Sequence, residues 1–299
     1  MSKFDKEYLK LCEEILNCGV LVKNRTGIDS IKIPSYSFHF DLCDEFPMLT
    51  TKQVFYKNAI TEMLWIYQAQ SNDVRWLQER GNHIWDEWEI DSFGNWNATQ
   101  NVLEDGVLVK KDISKYFGEK WAHTIGTAYG WIVNKYKLID GLIDKIKNNP
   151  TDRRMIMSLW QNEFLETAVL PSCVWSSEWD VTDGRLNAYV HQRSSDVALG
   201  LPFNVTQYAT LVCMLAKCTG LKPGRLDWSI KDAHIYVNQI DGIKKQIERG
   251  KELEDLPAPE LWLNPEINDF YEFDNSKELK DIKFLNYKHH GKISFPIAK

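Results

Sequence analysis

The sequence Leu170-Pro-Ser-Cys173-Val174 holds a candidate nucleophile. A thiol beside proline at a strand start is, taken alone, more often a plain buried side chain. It becomes reactive when a neighbour favours the thiolate, and a guanidinium does so. Arg193 ends the next expected strand, across a hairpin marked by Asp183-Gly184, which brings it within reach of Cys173. Arg25, the adjacent pair Arg153 and Arg154, and Arg193 followed by Ser194 add forked donors and a hydroxyl suited to phosphate oxygens. Each arginine singly reads as solvated surface. An adjacent pair within a strand points to opposite faces, so both serve one phosphate only if the strand is distorted or has barely begun.

The run Gln192-Arg-Ser-Ser-Asp196-Val-Ala-Leu199-Gly200-Leu-Pro-Phe203-Asn204 is dense in donors and acceptors and forms a shaped loop leading into a helix. Asn204 either caps that helix or presents its amide to a ring with an N–H beside a carbonyl, as uracil has. His234 and Tyr236 stand two apart and face the same way if extended, a pattern that is usually structural but also suits a sugar. Glu62 lies between Ile60 and Leu64 on an expected helix; facing inward, its pKa would rise and suit a proton relay. Trp85 and Trp88 are either core or a platform for a stacked heterocycle.

These groups need elements to hold them. The spacing predicts helices over Phe4–Cys18, Lys57–Gln68, Tyr136–Asn148, Phe203–Cys218 and Val237–Arg249. Strands are expected over Ser30–Phe40, Arg153–Trp160, Cys173–Val181, Arg185–Arg193 and, briefly, Leu226–Ser229. Glu89–Lys120 lacks periodicity and reads as a loop-like surface insertion. No repeat or low-complexity linker interrupts residues 1–299, which gives one α+β domain with helices packed on a mainly antiparallel or mixed sheet.

With 299 residues, 43% hydrophobic and 26% charged, the chain has the composition of an ordinary globular protein. A net charge of -6 without a basic run excludes a general nucleic-acid binder, so an anionic ligand must meet a local arginine cluster. Met1 to Leu11 carries no apolar signal core, and no apolar stretch is long enough to span a membrane. The six cysteines show neither a C-x-x-C pair nor zinc spacing. No metal is expected; the thiols read as reduced, Cys213 and Cys218 as buried, and the location as cytoplasmic.

In order along the chain, these motifs resemble one family: the folate-dependent, cysteine-nucleophile thymidylate synthases. The resemblance rests on Pro-Ser-Cys173, Gln-Arg193-Ser, Asp196, Leu-Gly-Leu-Pro-Phe-Asn204 and Asp-Ala-His234-Ile-Tyr236. Arg25-Thr-Gly, Glu62-x-x-Trp65, Ile-Trp-Asp-Glu-Trp88, Ala-Tyr129-Gly and Asp-Arg-Arg154 extend it. It implies reductive methylation of dUMP to dTMP, with 5,10-methylenetetrahydrofolate giving carbon and hydride and leaving as dihydrofolate. Cys173 would attack C6 of the uracil. Arg25, Arg193 and Ser194, with Arg153 and Arg154 from the partner subunit of a homodimer, would hold the phosphate. Asn204 would read the uracil edge, and His234 and Tyr236 the deoxyribose. Asp196 would serve the substrate site and bind the pterin; Trp85, Trp88, Leu199, Gly200, Phe203 and Ala298 would wall the folate. Glu62 would order water for proton transfer, and Tyr129 would help remove the C5 proton.

Four departures from the family pattern stand out. Val174 replaces a common histidine, Lys231 a glycine, the segment after Tyr129-Gly lacks a polar Gln/Arg pair, and the chain ends in Lys299 where an apolar residue is usual. Two rivals follow. One is a pyrimidine hydroxymethylase in which water traps the methylene; Asn204 argues against a cytosine substrate for it. The other is a pocket-bearing protein that binds RNA, which the acidic charge and intact Cys173 reduce to a weak secondary role.

Overall fold

The computed structural model describes residues 1–24, 26–104 and 107–298. The first helix, α1 (Lys3–Cys18), starts at Ser2, whose hydroxyl accepts from the Asp5 N–H at 3.0 Å. Phe4, Tyr8, Leu11, Cys12 and Ile15 share its buried face. Asp5 is itself buried and takes hydrogen bonds from both the N–H and hydroxyl of Thr50 and of Thr51. A buried carboxylate needs such donors. Their effect here is to lock the 50–52 turn, and with it Lys52, against the N-terminal helix.

Strands β1 (Val20–Val22), β2 (Ser30–Ile33) and β3 (Tyr36–Asp41) lead to α2 (Tyr56–Tyr67) and the short α3 (Val74–Gln78). Every residue of α2 from Ala59 to Tyr67 is buried, Glu62 included, where one inward face was expected. A helix covered all round must satisfy its polar groups within the protein. The segment expected to be loop instead forms β4 (Asn95–Trp96), β5 (Thr99–Glu104), β6 (Val107–Asp112) and β7 (Lys115–Tyr116). They pair as β4–β7 and β5–β6, two small antiparallel ribbons. β4 and β7 have two residues each, too short to show alternation, and β5 and β6, six residues each, group their apolar residues together instead of alternating them, so neither pattern reads as a half-buried strand.

Next come α4 (Gly130–Tyr136), unforeseen, and α5 (Leu138–Asn148). The strand expected from Arg153 is only β8 (Ile156–Ser158), with the arginine pair in the turn before it. There follow β9 (Val174–Thr182), β10 (Arg185–Gln192), β11 (Ser195–Asp196), α6 (Gly200–Cys218), β12 (Lys222–Ile230), β13 (Ala233–Tyr236), α7 (Ile240–Glu252), β14 (Glu260–Leu263) and β15 (Ile282–Leu285).

The main sheet is mixed, in the order β3-β12-β10-β9-β8; only the β10–β12 pair is parallel, bridged by α6. A second sheet runs β1-β2-β13-β11. One face of the main sheet lies on the core through Phe38, Phe40, Ala188, Val190, Leu226 and Trp228, under the almost wholly buried α6. Its other face is uncovered in the single chain and presents Ile156, Trp175 and Tyr189, 53%, 37% and 40% exposed. This is an α+β single-domain fold with mixed sheets, as the sequence led us to expect.

Candidate active site

Cys173 stands one residue before β9, half-buried. The β9–β10 ladder carries an irregularity between His191 and Gln192, so that Gln192 pairs with Val174. Such bulges re-aim side chains. Here the next residue, Arg193, donates its N–H to the Cys173 carbonyl at 2.9 Å and turns its side chain back over the same loop. Its guanidinium donates to the carbonyls of Ser172 (3.0 Å) and Pro171 (2.7 Å) and reaches the Cys173 sulfur at 3.7 Å. Burial pushes the thiols of Cys12 and Cys213 up to about 12 and that of Cys218 to about 11, which makes them poor nucleophiles. Cys218 is buried as expected; Cys213 is only half-buried by accessible surface.

Tyr129 approaches from the other side. The Cys173 N–H donates to its hydroxyl at 3.0 Å. Burial, then the neighbouring sulfur, holds that hydroxyl well above its ordinary range, so it stays protonated. Tyr129 has φ 45°, strained for a side-chain-bearing residue. The following Gly130 fits because a Cβ there would sit 1.9 Å from the Ser71 carbonyl oxygen.

A chain of side-chain amides runs beneath these groups. The Trp228 indole donates to Gln192 Oε1 at 3.0 Å, and Gln192 Nε2 donates to Asn204 Oδ1 at 3.1 Å. Asn204 Nδ2 donates to Gln207 Oε1 at 3.1 Å, and Gln207 Nε2 donates to Glu62 Oε2. The Trp85 indole closes the far end, donating to Glu62 Oε1 at 2.6 Å. An indole can only donate and a carboxylate only accept, so the two ends fix every amide between them in one orientation. Asn204 keeps one N–H and one oxygen lone pair, a donor beside an acceptor. That edge complements a ring bearing an N–H next to a carbonyl. Burial raises Glu62 to about 7, against the hydrogen bonds from Trp85 and Gln207, which lower it.

At the opposite rim, Asp196 on β11 pairs in register with His234 on β13. Asp196 accepts from the Leu199 N–H at 3.0 Å and the Gln239 amide at 2.9 Å, and burial raises its pKa. His234 is held by Asp232 through Nδ1 at 2.9 Å, and its ring meets that of Tyr236 at 5.0 Å, so the two do share a face. Trp85 and Trp88 pack edge to face at 5.4 Å, and Tyr129 lies 5.4 Å from Trp85. Trp85 is buried and Trp88 partly open, so Trp88 offers more surface to a ligand. Gly200 and Phe203 lie in the first turn of α6 and Leu199 just before it, all half-buried, as is Ala298.

The fold thus brings together Cys173, Arg193, Tyr129, Asn204 and Glu62. Ser194 and Asp196 follow directly on Arg193. It does not bring Arg153 and Arg154 to Cys173: the β8–β9 register sets Ile156 opposite Glu178, five residues from Cys173 and about 17 Å away, and the pair lies beyond it. Arg154 is 83% exposed, with Asp152 as its ion-pair partner. Arg25 and Lys299 lie outside the described residues. The sequence reading missed Trp228, Gln207 and Lys52. Lys52 is buried, donates to the Ala198 carbonyl, and is lowered by burial to about 8. Nothing in Thr-Thr-Lys52-Gln signals this; for Gln207, the one-residue-per-turn neighbourhood of Asn204 on α6 was the available cue.

Among the described residues no helix is long and apolar enough to cross a membrane, and no cluster of histidine, cysteine and carboxylate side chains is placed to hold a metal. A family model described as thymidylate synthase matches residues 6–299. The chain is 45% identical over 298 residues to the thymidylate synthase of Clostridium beijerinckii, and 38% identical to thymidylate synthase 1 of Bacillus subtilis, with 100% of each chain covered. The solved thermostable thymidylate synthase A from Bacillus subtilis superposes with a TM-score of 0.82 at 36% identity, again over 100% of both chains. Sequence and fold agree over the whole length: the chain belongs to the thymidylate synthase family, the methyltransferases that make dTMP.

Proposed function

We propose that Cys173 is the nucleophile that activates dUMP for methylation, with 5,10-methylenetetrahydrofolate as carbon donor and reductant. The observation that carries this reading is the Arg193 guanidinium 3.7 Å from the Cys173 sulfur. A cation at that distance favours thiolate. The thiolate adds to C6, and charge moves onto C5 and O4. The free N–H of Asn204 stabilises that enolate oxygen, while its free lone pair takes the N3 hydrogen. C5 then bonds to the one-carbon unit. Its proton leaves toward solvent ordered by Tyr129, the bond from the one-carbon unit to the folate nitrogen breaks with that nitrogen keeping the electron pair, and an exocyclic methylene results. Hydride from the released tetrahydrofolate adds to the methylene, completing the methyl group as the thiolate leaves C6, and dihydrofolate remains. Arg193, Ser194 and Arg25 are assigned to the phosphate, His234 and Tyr236 to the sugar, and Asp196 with Trp88, Leu199, Gly200 and Phe203 to the folate. Val174 is buried and apolar, so in this chain Gln207 provides the side-chain bridge between Glu62 and Asn204.

The uncovered face of the main sheet supports a homodimer, since exposed aromatic and aliphatic side chains on one surface mark association sites. Arg153 and Arg154, too far from their own Cys173, then act in the site of the other subunit. The thiols of Cys12, Cys18, Cys43, Cys213 and Cys218 support a reducing, cytoplasmic setting. Incubation with dUMP and methylenetetrahydrofolate, followed by dihydrofolate absorbance and product mass, tests the reading. We expect dTMP; a hydroxymethyl product would overturn it.

The amide chain makes its own prediction. Trp228→Phe removes one donor from a buried site and little volume. Gln192 then loses the donor that fixes its amide, and the orientation of Asn204 rests on the Gln207–Glu62 end alone. Discrimination for dUMP over dCMP is expected to fall by about 10-fold, the scale of one hydrogen bond to an oriented group. Competition kinetics with both nucleotides measures it; unchanged discrimination would show that Trp228 does not set the polarity.

A further inference from the structure

Gln239, in the turn between β13 and α7, is 1% exposed, and its side chain ties three segments together. Its Oε1 accepts from the Tyr236 N–H at 3.1 Å. Its Nε2 donates to Asp196 Oδ2 at 2.9 Å and to the Pro296 carbonyl at 3.1 Å. The amide is therefore fully used, with one hydrogen for the carboxylate and one for the C-terminal segment. Proline has no N–H, so its carbonyl is the backbone group by which that point of the tail can be held. The tail is otherwise seated by shape: the Phe295 ring fills space over Gly242, where a Cβ would come within 2.4 Å of it, and lies 4.7 Å from the Lys52 ammonium. Lys52 in turn donates to Ala198, two residues from Asp196.

We propose that Gln239 is a positioning residue that couples docking of the C-terminal segment to occupancy of Asp196. This rests on the assignment of Asp196 to the folate. A ligand that binds Asp196 fixes the carboxylate, the carboxylate fixes the Gln239 amide, and the amide then presents its second hydrogen to Pro296. Coupling of this kind is reciprocal, so a docked tail must also favour the ligand at Asp196. The Tyr236 contact extends the same amide to the strand on the sugar side of the site.

The test is a double-mutant cycle. Gln239→Glu keeps an acceptor for the Tyr236 N–H and the side-chain length, but beside the buried Asp196 the two carboxyls share at most one proton, so the side chain can no longer donate to both Asp196 and the Pro296 carbonyl. Deleting residues 296–299 removes the other partner. Each change alone is expected to raise KM for methylenetetrahydrofolate about tenfold or more, and both together no more than about threefold beyond either. Carboxypeptidase release of the tail should be slowed by dUMP plus folate in the parent protein and not in Gln239→Glu. Folate-independent exchange of the dUMP C5 hydrogen, which needs only thiolate addition and reversal, reports whether the nucleotide side remains intact. Multiplicative effects on folate KM, or retained tail protection, would overturn the coupling. A matching loss of C5 exchange and thermal stability would overturn it too, since it would mark general damage. Asp196→Asn separates the two levels: if it leaves folate KM unchanged, the assignment of Asp196 fails and the coupling with it. If it raises KM while Gln239→Glu does not, the coupling alone fails.

Discussion

Cys173→Ala is expected to lower dTMP formation by roughly four to six orders of magnitude, the scale seen when a covalent nucleophile is removed from a preorganised site. C5 of uracil is a weak nucleophile until C6 is saturated. Without sulfur nothing else near the ring supplies that addition: the Arg193 and Tyr129 groups around Cys173 position and polarise but do not attack. The Arg193 side chain is anchored on the carbonyls of Pro171 and Ser172, not on the sulfur alone, so it should keep its place. Affinity for dUMP, measured by calorimetry, is therefore expected to stay within about tenfold while turnover disappears. Cys213→Ala makes the contrast, since burial pushes that thiol up to about 12 and leaves it inert. Turnover above a hundredth of the parent value in Cys173→Ala would sink the nucleophile assignment.

The second large effect belongs to Glu62→Gln, with a loss in kcat of about 10² to 10³. Both oxygens of Glu62 accept hydrogen bonds, from Trp85 and from Gln207. A glutamine in its place has one acceptor for two donors. Either Trp85 loses its partner, or Gln207 must turn over and set its N–H groups against those of Asn204. The change is therefore felt at the Asn204 edge as well as at position 62 itself. The pH dependence of stability has a definite sign. Burial raises Glu62 to about 7, so between its ordinary value and 7 the folded protein holds a proton that the unfolded chain releases. Stability from this group is fully present at low pH and is lost as pH rises through that window, by on the order of 3 kcal/mol. Urea melts of both proteins from pH 4.5 to 8 should show this slope in the parent and not in Glu62→Gln.

Much of the site was legible in the residues because its chemistry needs particular types at particular places. Arg193 and Asn204 sit in a run, residues 192–204, with no periodicity of its own, and such runs are kept for contacts rather than packing, whereas Cys173 stands apart just before β9. The strands on either side of Asp183-Gly184 were legible for the same local reason: the turn residues declare the hairpin. What stayed hidden depends on the third dimension. Whether Glu62 faces inward is decided by how much of α2 is covered, which no single helix pattern reveals. Tyr129 and Gly130 begin α4 only because the backbone adopts φ 45° against Ser71, a conformation that propensity argues against. Strand β12 runs on both sides of Gly224, where a Cβ would meet the Asn187 side-chain oxygen at 2.2 Å. Close approach, not flexibility, explains that glycine, yet glycine and proline together read as a break and shortened the expected strand.

The order of strands in the main sheet also sets when the protein can become whole during synthesis. Asp41 of β3 pairs with Arg225 of β12, and β10 meets β12 only after α6 has crossed between them. A growing chain on the ribosome therefore carries β3 without its neighbour until three quarters of the polypeptide has emerged. Through that interval Phe38 and Phe40 lack the strand that will shield them, leaving an open hydrogen-bonding edge. Nascent chains stalled before Leu226 should bind holdase chaperones, and release should follow once β12 clears the exit tunnel.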